Sequence, residues 1–219
     1  MKNLFFAVHP DDETLGAGGT ILKYKDMGDE NYWCLMSCMG TAFSEEKRIS
    51  RLKEISLVEK EYGFKKVYSL PFETMKLDTV NRSTLINELG KIVNEIKPER
   101  IFIPFKYDAH SDHKVSYEAL SSFFKSFRYP FIKEIYAMET ISETDFANLD
   151  GRENFSPNCF FDISKYFDEK MKIMNIYASE MGEHPFPRSI KTIEALATLR
   201  GSLAGVNYAE AFMLIKKIQ

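Results

Sequence analysis

Blocks of apolar residues and blocks of mixed residues alternate along the first half of the chain. Lys2 to Val8, Asn31 to Met39 and Arg100 to Phe105 are apolar runs, and Lys65 to Leu70 is a shorter mixed one. Such runs read as strands, the continuous ones covered on both faces. The stretches between them carry helical spacing. Thr14 to about Met27 offers Ile21, Leu22 and Tyr24 for burial and ends at Gly28. The next helix starts at Ser44 as cap, with Glu45 and Glu46 favouring its dipole. It runs to Tyr62 through Ile49, Leu52, Ile55 and Val58, and Gly63 stops it. Ser83 caps a third helix through Ile96, with Pro98 after it. Later elements are a helix over Val115 to Phe127 and a strand over Phe131 to Met138. A polar loop over Glu139 to Ser156 and a strand over Asn158 to Ile163 come next. A helix from Ser164 to about Glu180 precedes the proline-broken loop Glu183 to Arg188. Two short helices, near 189–199 and 207–217, complete the pattern.

Strands alternating with helices of this length predict βαβ units around a mostly parallel sheet. The expected fold is therefore α/β, a Rossmann-like three-layer αβα arrangement with C-terminal helices. The 219 residues suit one domain over 1–219, and no linker, repeat or low-complexity stretch divides them. The balance of 29 basic against 32 acidic residues gives no reason to expect nucleic acid or an anionic membrane as partner. The first apolar run is broken by acidic residues too early for a signal peptide or membrane span, so a cytoplasmic protein without membrane insertion is expected. Cys34 and Cys38 fall in one predicted strand, roughly 13 Å apart at ~3.3 Å per residue, too far for a disulfide. With Cys159 they read as reduced cysteines.

The chemistry gathers where two strands end. His9-Pro10-Asp11-Asp12-Glu13 follows the first apolar run, and Pro10 restricts the turn. His9 and Asp12 are placed so that both could face one metal ion, with Asp11 close by. A third ligand must come from elsewhere, and the chain has only four histidines: His9, His110, His113 and His184. Two of them lie in Asp108-Ala109-His110-Ser111-Asp112-His113, directly after the strand ending at Phe105. Both segments thus leave the C-terminal edge of a parallel sheet, where open α/β sheets bind ligands. Gly16-Ala17-Gly18-Gly19 is not the dinucleotide spacing, and an acidic turn would repel a pyrophosphate. These glycines are expected to let the helix pack closely.

These segments resemble the zinc-dependent deacetylases of the PIG-L/LmbE family. The matching pieces are Ala7-Val8-His9-Pro10-Asp11-Asp12-Glu13 with its glycine-rich continuation, and Asp108 to His113. Arg51-Leu52-Lys53-Glu54 is similar to the family's Arg-x-x-Glu. Arg200-Gly201-Ser202 and Gly205 to Phe212 match near the C-terminus. The resemblance implies that His9, Asp12 and His113 hold zinc, with iron(II) or another divalent ion as the alternative. It implies Asp11 as general base and His110, held by Asp108 or Asp112, as second acid/base group and oxyanion stabiliser. Arg51, Asp108, His184 and Arg188 are candidates for substrate contact, Arg51 equally for bracing the acidic turn. The implied reaction removes an acetyl group from an N-acetylglucosamine-type sugar or glycoside. A metal-dependent phosphoester hydrolase and a non-catalytic sugar- or nucleotide-binding module are the rival readings. Monomer and homo-oligomer both stay open.

Overall fold

In the computed structural model, which describes residues 1–147 and 154–219, the first four apolar runs become parallel strands. These are β1 (Lys2–Ala7), β2 (Glu30–Leu35), β3 (Lys66–Ser69) and β4 (Arg100–Ile103), followed by β5 (Glu134–Met138). Helices α1 (Asp12–Asp26), α2 (Glu45–Tyr62), α3 (Arg82–Ile96) and α4 (Ser111–Leu120) connect them. The chain continues through β6 (Cys159–Asp162), α5 (Phe167–Met174), α6 (Ile190–Ala204) and β7 (Ala209–Lys217). The sheet order is β3-β2-β1-β4-β5-β7-β6. Strands β1 to β5 pair in parallel, and β7 runs antiparallel to both β5 and β6.

Side-chain alternation divides the core into two layers. Phe5, Trp33, Leu35, Phe102 and Met138 point to one face, where α1, α2, α5 and α6 pack. Leu4, Phe6, Cys34, Ile101 and Ile135 point to the other, where α3 and α4 pack. This period of two lets one continuous apolar run serve both layers.

The expected glycine packing is present. A Cβ on Gly18 would lie 2.6 Å from Tyr62 Oη, one on Gly19 2.6 Å from Ile163 Cβ, and one on Gly16 3.0 Å from Met138 Cβ. Bulkier residues there would lift α1 off the sheet and its neighbouring helices. At the same level Glu210 of β7 accepts from the backbone N–H of Gly19 and Thr20, both at 2.8 Å. Lys170 bonds Glu210 at 2.7 Å and Leu15 O at 2.9 Å.

Four expectations change. The segment expected as a helix over 207–217 is strand β7, because it fills the gap between β5 and β6. The helix expected to reach Glu180 stops at Met174. The cap of α3 is Asn81, whose side chain accepts from Ser83 N at 2.9 Å, rather than Ser83 itself. Cys38 lies beyond the end of β2, and among the described residues all three cysteines are free. Of the loop expected over Glu139 to Ser156, residues 148–153 lie outside the described residues.

Candidate metal centre and cleft

The two motif-bearing turns leave adjacent strands, β1 and β4. From β1 the chain enters α1 on one face, and from β4 it enters α4 on the other. This is the point where the strand order reverses, and the splayed connections leave a crevice.

The first turn is held in an unusual shape. Asp11 has φ 140°, a conformation that L-residues rarely adopt. Its carbonyl accepts from Thr14 N at 3.0 Å and Leu15 N at 2.9 Å. Arg51 donates to Pro10 O at 3.1 Å. The carboxylate of Asp12 turns back onto the strand end, where Oδ2 accepts from Val8 N at 2.9 Å and His9 N at 2.8 Å. Beneath the turn the buried Glu13 accepts from Thr14 Oγ1 at 2.7 Å and Tyr177 Oη at 3.0 Å. Burial raises the Glu13 carboxyl to about 7.

The second turn is built around Asp108. It accepts from Phe105 N at 3.2 Å and Thr144 Oγ1 at 2.6 Å, and lies 2.8 Å from His113 Nδ1. A carboxylate on one imidazole nitrogen fixes the ring and leaves the other free to bind. That other atom, His113 Nε2, is buried, has no hydrogen-bond partner, and lies 3.3 Å from Asp12 Oδ2. Ligand atoms of His9, Asp12 and His113 all lie within 4.8 Å of one another. An orphaned buried imidazole nitrogen beside a buried carboxylate is a costly arrangement for a metal-free site. Two nitrogens and one oxygen fit zinc with a coordination position left over.

In a second cluster, ligand atoms of His9, His110 and Asp112 also lie within 4.8 Å of one another. Asp112 accepts from Met75 N at 2.7 Å and Leu77 N at 3.1 Å, and its Oδ2 lies 3.2 Å from His9 Nε2. The group around His113 fits an ion better, because it holds a buried imidazole nitrogen without a hydrogen-bond partner.

Charge in the site follows from burial and neighbours. Burial opposes ionisation of Asp12, but His113 and His9 outweigh it and bring its pKa down to about 2. Burial raises Asp11 well above the usual carboxylate range, and Asp12 and Glu180 add to the effect. The His110 imidazole is lowered by burial and then by His9. Its Nδ1 accepts from Asp112 N at 3.0 Å, so a neutral ring offers its one N–H from Nε2.

The cleft over this centre has a volume of about 260 Å³. His9, Asp11, Asp12 and His110 line it, and Arg51 and Arg188 form part of its wall. Arg188 donates to Ser142 Oγ at 2.8 Å, Glu180 O at 2.9 Å and Glu180 Oε2 at 3.1 Å. Arg51 is buried and bonds Pro10 O, Ser179 and Glu180 as well as lying 3.3 Å from Glu54, so it braces the acidic turn.

Three expectations for side chains are corrected. Asp108 is fully buried under His113 and is not part of the cleft lining, where a substrate-contacting side chain was expected. His184 is exposed on the outer loop and is likewise not among the lining residues. Neither candidate carboxylate holds the His110 ring, because Asp112 holds it through its backbone N–H and Asp108 belongs to His113. Among the residues that the sequence did not single out, Glu180, Glu143, Ser142 and Met75 line the cleft. They come from irregular segments without periodic pattern, and nothing in the sequence marks them.

The profile of PIG-L, GlcNAc-PI de-N-acetylase, matches residues 4–124, which is more than half of the chain and includes both turns. The chain belongs to the PIG-L family. Diacetylchitobiose deacetylase of Thermococcus kodakarensis is 25% identical over 238 residues, covering 99% of this chain and 84% of the relative. A Bacillus anthracis protein named "Probable N-acetyl-alpha-D-glucosaminyl L-malate deacetylase 2" is 26% identical, covering 82% and 83%. Among solved structures, GalB of Pseudomonas putida, a 4-carboxy-2-hydroxymuconate hydratase, superposes with a TM-score of 0.74 at 17% identity, covering 100% of this chain and 98% of that one. That likeness concerns the fold alone. The hydratase illustrates that a fold does not choose the reaction, which rests on the site.

Proposed function

We propose that this PIG-L family member is a zinc-dependent hydrolase that removes the acetyl group from the amide nitrogen of an N-acetylglucosamine-type sugar or its conjugate. The observation that carries the metal assignment is the unpartnered, buried His113 Nε2 beside Asp12 and His9. The family match and the names of both relatives support the substrate class.

A zinc ion supplies Lewis acidity there, polarising the amide carbonyl and making a water nucleophilic near neutral pH. Asp11 lies in the cleft wall without being one of the three proposed ligands. Its carboxylate takes a proton from the attacking water. Asp11 keeps that proton until the C–N bond breaks, when it passes the proton to the leaving amine. His110 offers its Nε2–H to the carbonyl oxygen as negative charge grows on it. Water and amide become acetate and the protonated amine.

The test combines metal content with acetate release from N-acetylated sugars. Protein purified without chelator carries about one metal ion per chain, a single site of this kind. Asp11→Asn keeps that metal and loses roughly 10²–10⁴-fold in turnover, the usual range for general acid–base catalysis. Near wild-type turnover in Asp11→Asn would rule out the assigned base. Protein that neither contains nor takes up metal would remove the hydrolase reading altogether. Among the described residues no helix is long and apolar enough to cross a membrane.

A further inference from the structure

The cleft adjoins a second chamber. This space of about 270 Å³ is lined by Met39, Phe43, Lys47, Ser50, Glu54 and Ser179, together with Arg51 and Glu180. Met39, Phe43, Arg51 and Glu180 line both spaces, so the Arg51–Glu180 pair stands between them. Either volume alone falls below the common range for small-molecule sites, roughly 300–1,000 Å³, and the two together fall inside it.

The lining of the second chamber describes its occupant. Phe43 and Met39 supply apolar surface. Ser50, Ser179, Lys47 and Glu54 supply donors and acceptors. Its charges balance, with Lys47 and Arg51 against Glu54 and Glu180. The Arg51 guanidinium is committed to Glu54 and Glu180 and is not spare for an incoming anion. A carboxylate or phosphate brought here would find one exposed lysine beside two carboxylates. A pyranose ring, with one C–H face and a rim of hydroxyls, matches an apolar wall edged with neutral and balanced polar groups.

We infer that the second chamber is a subsite for a neutral sugar ring joined to the N-acetylated unit that reacts. The substrate is thus an N-acetylated disaccharide or longer neutral saccharide, rather than a glycoside with an anionic aglycone. This rests on the deacetylase reading and adds to it the identity of the non-reacting part. Ser50 lies on α2 and lines the second chamber but not the cleft over the metal centre.

Steady-state kinetics of acetate release, on metal-loaded protein, test the assignment with three probes. They are N-acetylglucosamine, N,N'-diacetylchitobiose and an N-acetylglucosaminyl malate. The wild type favours the disaccharide over the other two by at least about tenfold in kcat/KM. A whole ring gained or lost should exceed the ~10-fold of one small group. Ser50→Trp fills the chamber, and raises KM for the disaccharide about tenfold more than KM for the monosaccharide, with kcat changing little. A change in KM at constant kcat is the mark of lost ground-state binding. Equal effects on both sugars, no effect on either, or a preference for the malate conjugate would overturn the subsite. Turnover of none of the three by the wild type would overturn the deacetylase reading and the subsite with it, and is thereby distinguishable from failure of the subsite alone. Circular dichroism of Ser50→Trp confirms that the exposed helix position tolerates the larger side chain.

Discussion

The Nε2 of His113 is buried 3.3 Å from Asp12 Oδ2, its Nδ1 is tied to Asp108, and Asp108 is tied in turn to Thr144. This chain of contacts holds one nitrogen at a fixed angle toward Asp12. Asp108→Asn keeps the shape but removes the negative charge behind the imidazole. Such a change costs about 10–100-fold in metal affinity where it has been made behind a ligating histidine. Competition with a chromogenic chelator reads this directly, and an unchanged affinity would mean that Asp108 serves only to cap its own turn. His9 and Asp12 could be paired in the sequence because one turn after a strand keeps them close along the chain, whereas His113 comes from a second turn after β4 and is matched to them through the family resemblance. Glu180 could not be singled out. Its pairing with Arg188 joins residues across the irregular segment that follows α5, and no periodicity announces it. Asp108 was visible as a candidate, but its direction was not, since that depends on Thr144 arriving from beyond β5.

Helix α1 begins inside the proposed metal centre and continues under the sheet's most crowded contacts. Gly19→Ala places a Cβ 2.6 Å from Ile163 Cβ and 2.7 Å from its Cγ2. Overpacking of this kind typically costs 1–3 kcal/mol. At about 2–4 °C per kcal/mol for a chain of this size, thermal unfolding of the variant should shift down by several degrees. A midpoint within a degree of wild type would show that the Ile163 segment yields freely. The elements around α1 were legible because β1, β2 and β4 are buried on both faces and their helices carry clear stops at Gly28 and Gly63. Strand β7 was not. Its run Ala209-Glu210-Ala211-Phe212-Met213-Leu214 is rich in good helix formers. Its strand conformation comes from pairing with β5 and β6, a context that no local pattern reports.

On the whole molecule, the proposed chemistry lies at the C-terminal ends of the parallel strands, and a charged cluster fastens their N-terminal ends. Arg100 bonds Glu134 at 2.9 Å and Asp29 at 3.0 Å, Tyr136 Oη donates to Glu134 at 2.7 Å, and Lys217 approaches Glu134 at 3.3 Å. Burial opposes the Glu134 charge, but Tyr136 and Arg100 more than compensate, holding its pKa below the ordinary 4.5. A carboxyl lowered in the folded state stabilises fully above its unfolded value and loses that contribution as pH falls through the folded one. The melting temperature is therefore expected to decline as pH drops below about 4.5, and Glu134→Gln to flatten that decline. An acid limb of unchanged steepness in the variant would assign the acid sensitivity to other carboxylates.

Strand β7 lies between β5 and β6, and among the described residues β6 pairs with the sheet only through it. A ribosome delivers β5 and β6 long before it delivers residues 209–217. Until then β5 presents an unpaired outer edge, and unpaired edges are templates for association with other chains. The Glu210 contacts that clasp Gly19 and Thr20 are missing over the same interval. The native sheet is therefore completed after most of the polypeptide has been made, and the nascent chain has to be kept apart from its neighbours until its late strand slides into place.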